Sequence, residues 1–329
     1  MFPIRHSVVD NVALGREIQQ RWKLPEPFAC DLITRGMNDV YEVRSGKDRM
    51  AARVWRADKH TEASVTWELE FLAHLKKKGV PVIAAVPDAS GNLTFAIDAP
   101  EGTRRVCLFE WAHGDQFYAD PQPDIAQRIG AAVAEMHLAG ADFKGRSERP
   151  IAFAADMRRK LPTLLSRLEG RADDQAFYDK AIHACADRLD EVYAAGVPVA
   201  PIHGDVHVRN VFVTPDGNFN ILDFDTCGVA HLLHDCQSLV WASNYFIAHG
   251  NKTLTPAVTE RFWQGYKEVR PLEPLEVECL PLFMASKEFN FMCGMSEAVN
   301  VVGHMSFGPH MFDWFARSTR KNAKAAGLV

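Results

Sequence analysis

The spacing of apolar residues changes character along this chain. In the first third they come in short runs punctuated by turn residues, the texture of strands and turns with one long helix. Asp31 to Val43 (DLITRGMNDVYEV) places a turn, Gly36–Asp39, between two apolar stretches, and Met50–Trp55 reads as the next strand. From Thr61 to Lys78 the period lengthens: Val65, Leu69, Leu72 and Leu75 share one helical side, and Gly79 is the stop. Val80-Pro81 returns to extended backbone. Leu93–Asp98 and Arg105–Trp111 read as two more strands, turning at Glu101-Gly102.

After Gly114 the period is helical. Ile125, Ile129, Val133 and Met136 line one side of a helix over Ile125–Leu138, and Asp156–Leu168 and Gln175–Ala195 are further amphipathic segments. Pro198 to Asp225 interrupts them with two short apolar pieces, Val211–Val213 and Phe219–Leu222, around Pro215-Asp216-Gly217, which predicts a small hairpin. From about His231 to Ala326 the pattern is mainly helical again. The expected architecture is α+β and two-lobed, with a small β-rich lobe over residues 1–111 and a larger, mainly helical lobe over 112–329.

Composition narrows the function classes. The chain has 329 residues, 47% of them hydrophobic and 24% charged, which excludes a mostly disordered protein. With 37 basic and 42 acidic side chains the net charge is −5, so nothing global draws the chain to nucleic acid or to an anionic membrane. No run reaches the ~18–20 apolar residues of a membrane helix, and the first residues carry early charges rather than an apolar signal core. The seven cysteines are scattered and never form C-x-x-C, so they read as reduced thiols of a cytoplasmic protein, with no zinc site expected.

The most informative stretch is His203-Gly204-Asp205-Val206-His207-Val208-Arg209-Asn210, followed across the hairpin by Ile221-Leu222-Asp223-Phe224-Asp225. An Asp, an Asn five residues later and another Asp beyond a short hairpin suit the holding of a divalent cation and the presentation of a hydroxyl to a terminal phosphate. Phosphoryl transfer asks for in-line positioning, charge neutralisation by Mg²⁺ and a carboxylate beside the attacking hydroxyl. Amide and carboxylate oxygens are the hard ligands that Mg²⁺ prefers.

Together the two segments resemble the protein-kinase pair H-R-D-x-x-x-x-N and D-F-G, with Gly204 in place of the Arg and D-F-D in place of D-F-G. In this form the chain resembles the aminoglycoside phosphotransferase and choline kinase family, the small-molecule branch of the kinase-like fold. The resemblance runs from about residue 30 to 240 and implies ATP and Mg²⁺ as donor and cofactor. It makes Asp205 the catalytic residue that orients the acceptor hydroxyl and takes its proton, Asn210 and Asp223 the metal ligands, and Asp225 a ligand to a second ion or a brace. Arg35–Tyr41, with Gly36 and Asn38, resembles the nucleotide-covering hairpin, and Phe109–Gly114, with Glu110, the hinge that meets adenine. Where the family carries a Lys for the α- and β-phosphates this chain has Arg53, longer, planar and not equivalent. Its helix partner is Glu68, with Glu70 as competitor. Ile129–His137 (IGAAVAEMH) resembles a family packing helix. Asp235 matches a position that begins a helix and supports the active loop, an N-cap being its plainest role. His203 is expected to brace the loop through backbone hydrogen bonds. His207 and Arg209 lie inside the loop, where two readings stay open: lining the phosphate or acceptor site, with Arg209 offsetting γ-phosphate charge, or a local structural contact.

The acceptor is the open question. Aminoglycoside-like sugars, choline or ethanolamine, homoserine and a protein Ser/Thr hydroxyl all fit the motif. Cationic acceptors would call on Glu276, Glu278, Glu288 or Glu297, and a quaternary ammonium on Trp241, Tyr245, Trp263 or Trp314. The primary expectation is Mg²⁺-dependent transfer of the ATP γ-phosphate to a small-molecule hydroxyl by a monomer or homodimer that binds neither nucleic acid nor membrane. The alternatives are a Ser/Thr protein kinase of the bacterial stress-response type and a nucleotide-binding pseudokinase, for which Arg53 is the favouring feature.

Overall fold

The structure is a computed structural model that describes residues 2–146 and 149–329. It divides into two compact units: Met1–His113 with Gly145–Glu148, and Gly114–Lys144 with Arg149–Val329. Among the described residues no helix is long and apolar enough to cross a membrane.

The first unit is an antiparallel five-stranded sheet with two helices. Helix α1 (Asn11–Trp22) precedes β1 (Phe28–Arg35), β2 (Asp39–Ser45), β3 (Asp48–Val54), α2 (Glu62–Lys77), β4 (Thr94–Ala99) and β5 (Gly102–Glu110). The sheet order is β1-β2-β3-β5-β4. The two hairpins and the long helix stand where the apolar periods predict them. Helix α1 does not follow from the periodicity. Asp10 caps it, its Oδ1 accepting the Ala13 N–H at 2.8 Å, but only Leu14, Gly15 and Ile18 are buried, too narrow a stripe to stand out in the pattern. Leu14 and Ile18 close one side of a core built from Cys30, Tyr41, Val43, Ala52, Val54, Phe95, Val106 and Leu108.

The turn end of the β1–β2 hairpin, where Arg35 pairs with Asp39, is held by a buried ion pair. Asp39 is fully buried, receives Arg104 Nη2 at 2.8 Å and lies 3.1 Å from His6 Nε2. Arg104 is itself fully buried and also donates to the carbonyls of Trp55 and Ser7. A buried carboxylate and guanidinium persist only when paired and hydrogen-bonded in this way.

The second unit runs β6 (Asp115–Gln116), α3 (Pro123–Gly140), α4 (Phe153–Arg167), α5 (Ala172–Ala194), β7 (Val199–Ile202), β8 (Val211–Val213), β9 (Phe219–Ile221), β10 (Gly228–His231), α6 (Leu233–Ala248), α7 (Pro256–Val269), α8 (Pro274–Val302) and α9 (Pro309–Ala325). The expected hairpin is β8–β9, with β6 as a third strand. A second ladder, β7 against β10, brackets it and was not legible, because β7 is four residues long and contains Pro201. Helices α3 and α7 cross at contact distance. A Cβ on Gly130 would lie 2.0 Å from the Phe262 carbonyl oxygen, and one on Gly265 would lie 1.8 Å from that of Gln127. Glycine at both positions lets the two backbones touch, which explains Gly130 in the packing helix.

Candidate active site

In the second unit, β7 delivers the chain into the His203–Asn210 loop, and β9 delivers it into Leu222–Cys227. Gly204 joins the two loops. Its φ is +86°, and a Cβ there would stand 2.4 Å from the Thr226 carbonyl oxygen. Only glycine meets both conditions without strain, which is the local reason that this loop has Gly where protein kinases have Arg. His203 fastens the same junction. Its Nε2 donates to the Leu222 carbonyl at 2.7 Å and its Nδ1 accepts the Asp205 N–H at 3.1 Å, which assigns the proton to Nε2. The expected bracing role is what the geometry shows.

Of the two roles expected of Asp235, the structure shows the support of the active loop and not the helix cap. It lies inside the first turn of α6 and caps nothing there. Instead its Oδ2 accepts the His203 N–H at 2.8 Å and its Oδ1 the Gly204 N–H at 2.7 Å. His137, on α3, places Nε2 3.1 Å from Oδ2 and Nδ1 2.9 Å from the Tyr266 hydroxyl. Burial works to raise the Asp235 carboxyl pKa, but the His137 hydrogen bond and the neighbouring imidazoles outweigh it and lower the pKa. Asp235 is thus the anchor of the loop that presents Asp205, and His137 is its support.

Asp205 projects beyond this anchor. One carboxylate oxygen, Oδ1, lies 3.0 Å from Lys287 Nζ on α8, and Oδ2 lies 3.5 Å from His207 Nε2. Desolvation pushes the carboxyl up, but the charges of Lys287 and His207 and the Lys287 hydrogen bond hold it well below the usual aspartate range. His207 is pushed down by desolvation against the pull of Asp205. Its Nδ1 accepts the Arg209 N–H at 3.1 Å.

Asn210 follows in the same loop. Its amide NH₂ donates to the Asp205 carbonyl at 3.1 Å, which leaves the amide oxygen as its ligand end. The Leu222 N–H donates to the Asn210 carbonyl at 2.8 Å, continuing the Val211–Ile221 register, so Asn210 stands across the ladder from the residue before Asp223. Asp223 is held in the left-handed region at φ +65°, a conformation Asp tolerates at a cost of about 1–3 kcal/mol. Asp225 is buried in the short 3-10 turn that follows. Among the described residues no group of three or more His, Cys, Asp or Glu side chains gathers for a metal. The Asn210 amide and the Asp223 carboxylate are hard oxygen donors, the kind that fits Mg²⁺, which completes its shell with waters and phosphates.

The first unit carries the other expected residues. Arg53 on β3 donates from Nη1 to Glu68 Oε1 on α2 at 2.7 Å. Glu68 is fully buried, and the guanidinium also lies 5.0 Å from the Phe109 ring centroid. Glu70 turns elsewhere and pairs with Arg146, so the structure chooses Glu68 as the partner. Gly36 donates its N–H to the Asn38 carbonyl at 3.1 Å, and a Cβ on Gly36 would meet no atom of the chain within 4 Å. Glu110 has spent its N–H on the Ala84 carbonyl and its carboxylate on Lys76 and the Ala84 N–H, so a base there would be met by other groups.

Of the acidic residues considered for a cationic acceptor, Glu278 is exposed and the other three are otherwise engaged. Glu276 binds Arg270 with both oxygens at 3.0 Å, and Glu297 pairs with Arg159. Glu288 is buried against Asn322, with its pKa pushed up to about 7 by burial. Trp241, Tyr245 and Trp314 do converge, Trp241 on Tyr245 at 5.8 Å and Tyr245 on Trp314 at 5.0 Å, whereas Trp263 packs on Phe262 and Tyr266 of α7. Lys287 was missed by sequence reasoning. The available signal was a lysine at i+4 from Phe283 and i−4 from Phe291, inside an apolar helical stripe.

The sequence model of the phosphotransferase enzyme family matches residues 33–275. A protein of Deinococcus radiodurans described only as uncharacterized is 30% identical over 316 residues, covering 95% of this chain and 90% of its own length. The homoserine kinase of Rhizobium etli is 27% identical over 279 residues, covering 82% of each chain. Among solved structures, the amicoumacin kinase hAmiN, in complex with AMP-PNP, Ca²⁺ and Ami, superposes with a TM-score of 0.76 at 16% identity, over 98% of this chain and 95% of that one. That likeness shows the kinase-like fold, and the family match across most of the length settles the class. The chain belongs to the phosphotransferase enzyme family and is a kinase, with ATP as phosphoryl donor and an alcohol group as acceptor.

Proposed function

We propose that the chain transfers the ATP γ-phosphoryl group to a hydroxyl of a small molecule in a Mg²⁺-dependent reaction. The observation that carries this reading is the anchored loop: Asp235 fixes His203 and Gly204 by two backbone hydrogen bonds and the Asn210 amide donates to the Asp205 carbonyl, so Asp205 and Asn210 are presented from one braced turn. The acceptor oxygen attacks Pγ, the bond from Pγ to the β,γ-bridging oxygen breaks, and ADP leaves. Asp205 orients the hydroxyl and receives its proton. Its lowered pKa makes it a weak base, which suits a loose transition state in which the proton moves late. Asn210 and Asp223 are the residues to hold Mg²⁺, with Asp225 behind them. When bound, the ion supplies neutralisation of charge on the β- and γ-phosphates. In the first unit, Arg53 stands in for the usual lysine toward the phosphates, positioned by Glu68, while Gly36 and Asn38 shape the covering turn and the strand end at Glu110 borders the base.

The similarity to a homoserine kinase and to an amicoumacin kinase sets the panel for the test. ADP formation is measured with Mg²⁺-ATP against homoserine, choline, aminoglycosides, sugars and a generic protein substrate. Turnover of one small-molecule class, reduced at least ~100-fold in Asp205→Asn, supports the proposal. Turnover only with the protein substrate, or turnover unchanged in Asp205→Asn, overturns it.

A further inference from the structure

Lys287 is a buried cation set directly against the residue that orients the acceptor. It is 7% exposed, its ammonium lies 3.0 Å from Asp205 Oδ1, and it stands 6.0 Å from the centre of the Trp241 ring. An ammonium has three N–H donors. Among the described residues Asp205 is its one hydrogen-bond partner, which leaves donors that burial makes costly unless an oxygen meets them. An aromatic row extends from this point: Trp241 stacks on Tyr245 at 5.8 Å, Tyr245 meets Phe246 at 5.5 Å, and Phe246 meets Tyr118 at 4.8 Å. At its far end Arg209 lies 5.5 Å from the Tyr118 ring and 5.9 Å from that of Phe246, with no carboxylate paired to it among the described residues. The row is thus bounded by two cations. Two acidic residues of the same helix as Lys287 are occupied, Glu276 by Arg270 and Glu288 by Asn322.

We infer that Lys287 sets the charge of the acceptor, admitting a hydroxy compound that carries a carboxylate near its reacting hydroxyl and excluding one that carries a cation there. This inference rests on the proposed transfer and names its substrate class. The acceptor carboxylate takes the donors that Asp205 leaves on Lys287, its hydroxyl hydrogen-bonds the other side of Asp205, and its carbon chain lies along Trp241. An ammonium in the same place meets like charge beside the buried Lys287. The transfer itself is unchanged: the hydroxyl oxygen bonds to Pγ, ADP departs, and the carboxylate takes no part in bond making.

The test is a charge series of matched length: short ω-hydroxyalkanoates, the corresponding diols and the corresponding amino alcohols. ADP formation gives kcat and KM for each with the parent chain, Lys287→Met and Lys287→Arg. Binding of each compound is measured separately by calorimetry in the presence of a non-hydrolysable ATP analogue. The expected result is a kcat/KM for the carboxylate at least ~100-fold above that for the amine, equivalent to about 2.7 kcal/mol. Lys287→Met should collapse the ratio below about fivefold, chiefly through KM of the carboxylate, and Lys287→Arg should keep most of it. A parent chain that prefers amino alcohols or ignores charge refutes the inference without any variant and leaves the transferase standing. A uniform loss across all three compounds in Lys287→Met also refutes it, because Lys287 would then act on Asp205 alone. Carboxylate binding that is lost in Lys287→Met, without ADP formation from any acceptor, would keep the anion site and remove the transfer.

Discussion

Asp235→Asn is the sharpest probe of how the reactive loop is held. The carboxylate accepts the His203 and Gly204 N–H groups at 2.8 and 2.7 Å and is fully buried. The isosteric amide keeps one oxygen for one of those donors and turns an NH₂ toward the other. The retained bond falls from a charged one, about 1.5–3 kcal/mol, to a neutral one of about 1 kcal/mol, and the orphaned donor costs about 1–3 kcal/mol. The expected loss of stability is about 3 kcal/mol, read from the urea midpoint at an unchanged m-value. Displacement of Asp205 by even a fraction of an ångström should lower kcat about 100-fold with little change in KM for ATP. The pH dependence follows from the lowered carboxyl pKa: the stabilisation is present above the ordinary aspartate value, about 3.9, and is lost as pH falls through the folded-state value. Parent and variant should therefore converge in acid. A variant within about 0.5 kcal/mol of the parent at pH 7, with kcat within about threefold, would show that the loop does not depend on this anchor.

Other expectations follow from the same geometry. Gly204→Ala should cost at least ~2 kcal/mol and most of the activity, since the residue must adopt φ +86° with its Cβ 2.4 Å from the Thr226 oxygen; near-parental melting and turnover would contradict the loop junction. Glu68→Gln should cost about 3 kcal/mol by stripping Arg53 of its buried counter-charge, while Glu70→Gln, whose partner Arg146 is 79% exposed, should stay within about 0.5 kcal/mol. The reverse order in chemical denaturation would reassign the pair. Glu288 keeps its proton in the folded state up to about pH 7 and loses it near 4.3 when unfolded, so folding stability declines as pH rises through that window. Glu288→Gln should remove the decline and exceed the parent by up to about 3 kcal/mol at pH 8, a gain whose absence in pH-dependent melting would show the carboxyl to be solvated.

Much of the molecule was written locally. Period and turn chemistry place the two hairpins of the first unit, the helix over Glu62–Lys77 and the β8–β9 hairpin, because each is decided by neighbours a few residues apart. The H-G-D-x-x-x-x-N and D-F-D segments announce their chemistry for the same reason: the residues that share a task are close in sequence. What stayed hidden depends on contacts across long stretches of chain. Helix α1 buries too few residues to show a period, and β7 exists only because β10 pairs with it. The choice of Glu68 over Glu70 required knowing which side of α2 faces Arg53. Asp235 reads as a helix cap until the fold brings it to the backbone of His203, 32 residues away. Lys287 reads as one charge in an apolar helix, and folding turns it onto Asp205, 82 residues away. Local sequence determined the elements and the type of reaction, since both are set by near neighbours; tertiary structure alone decided which charges meet, and with them how the reactive loop is held.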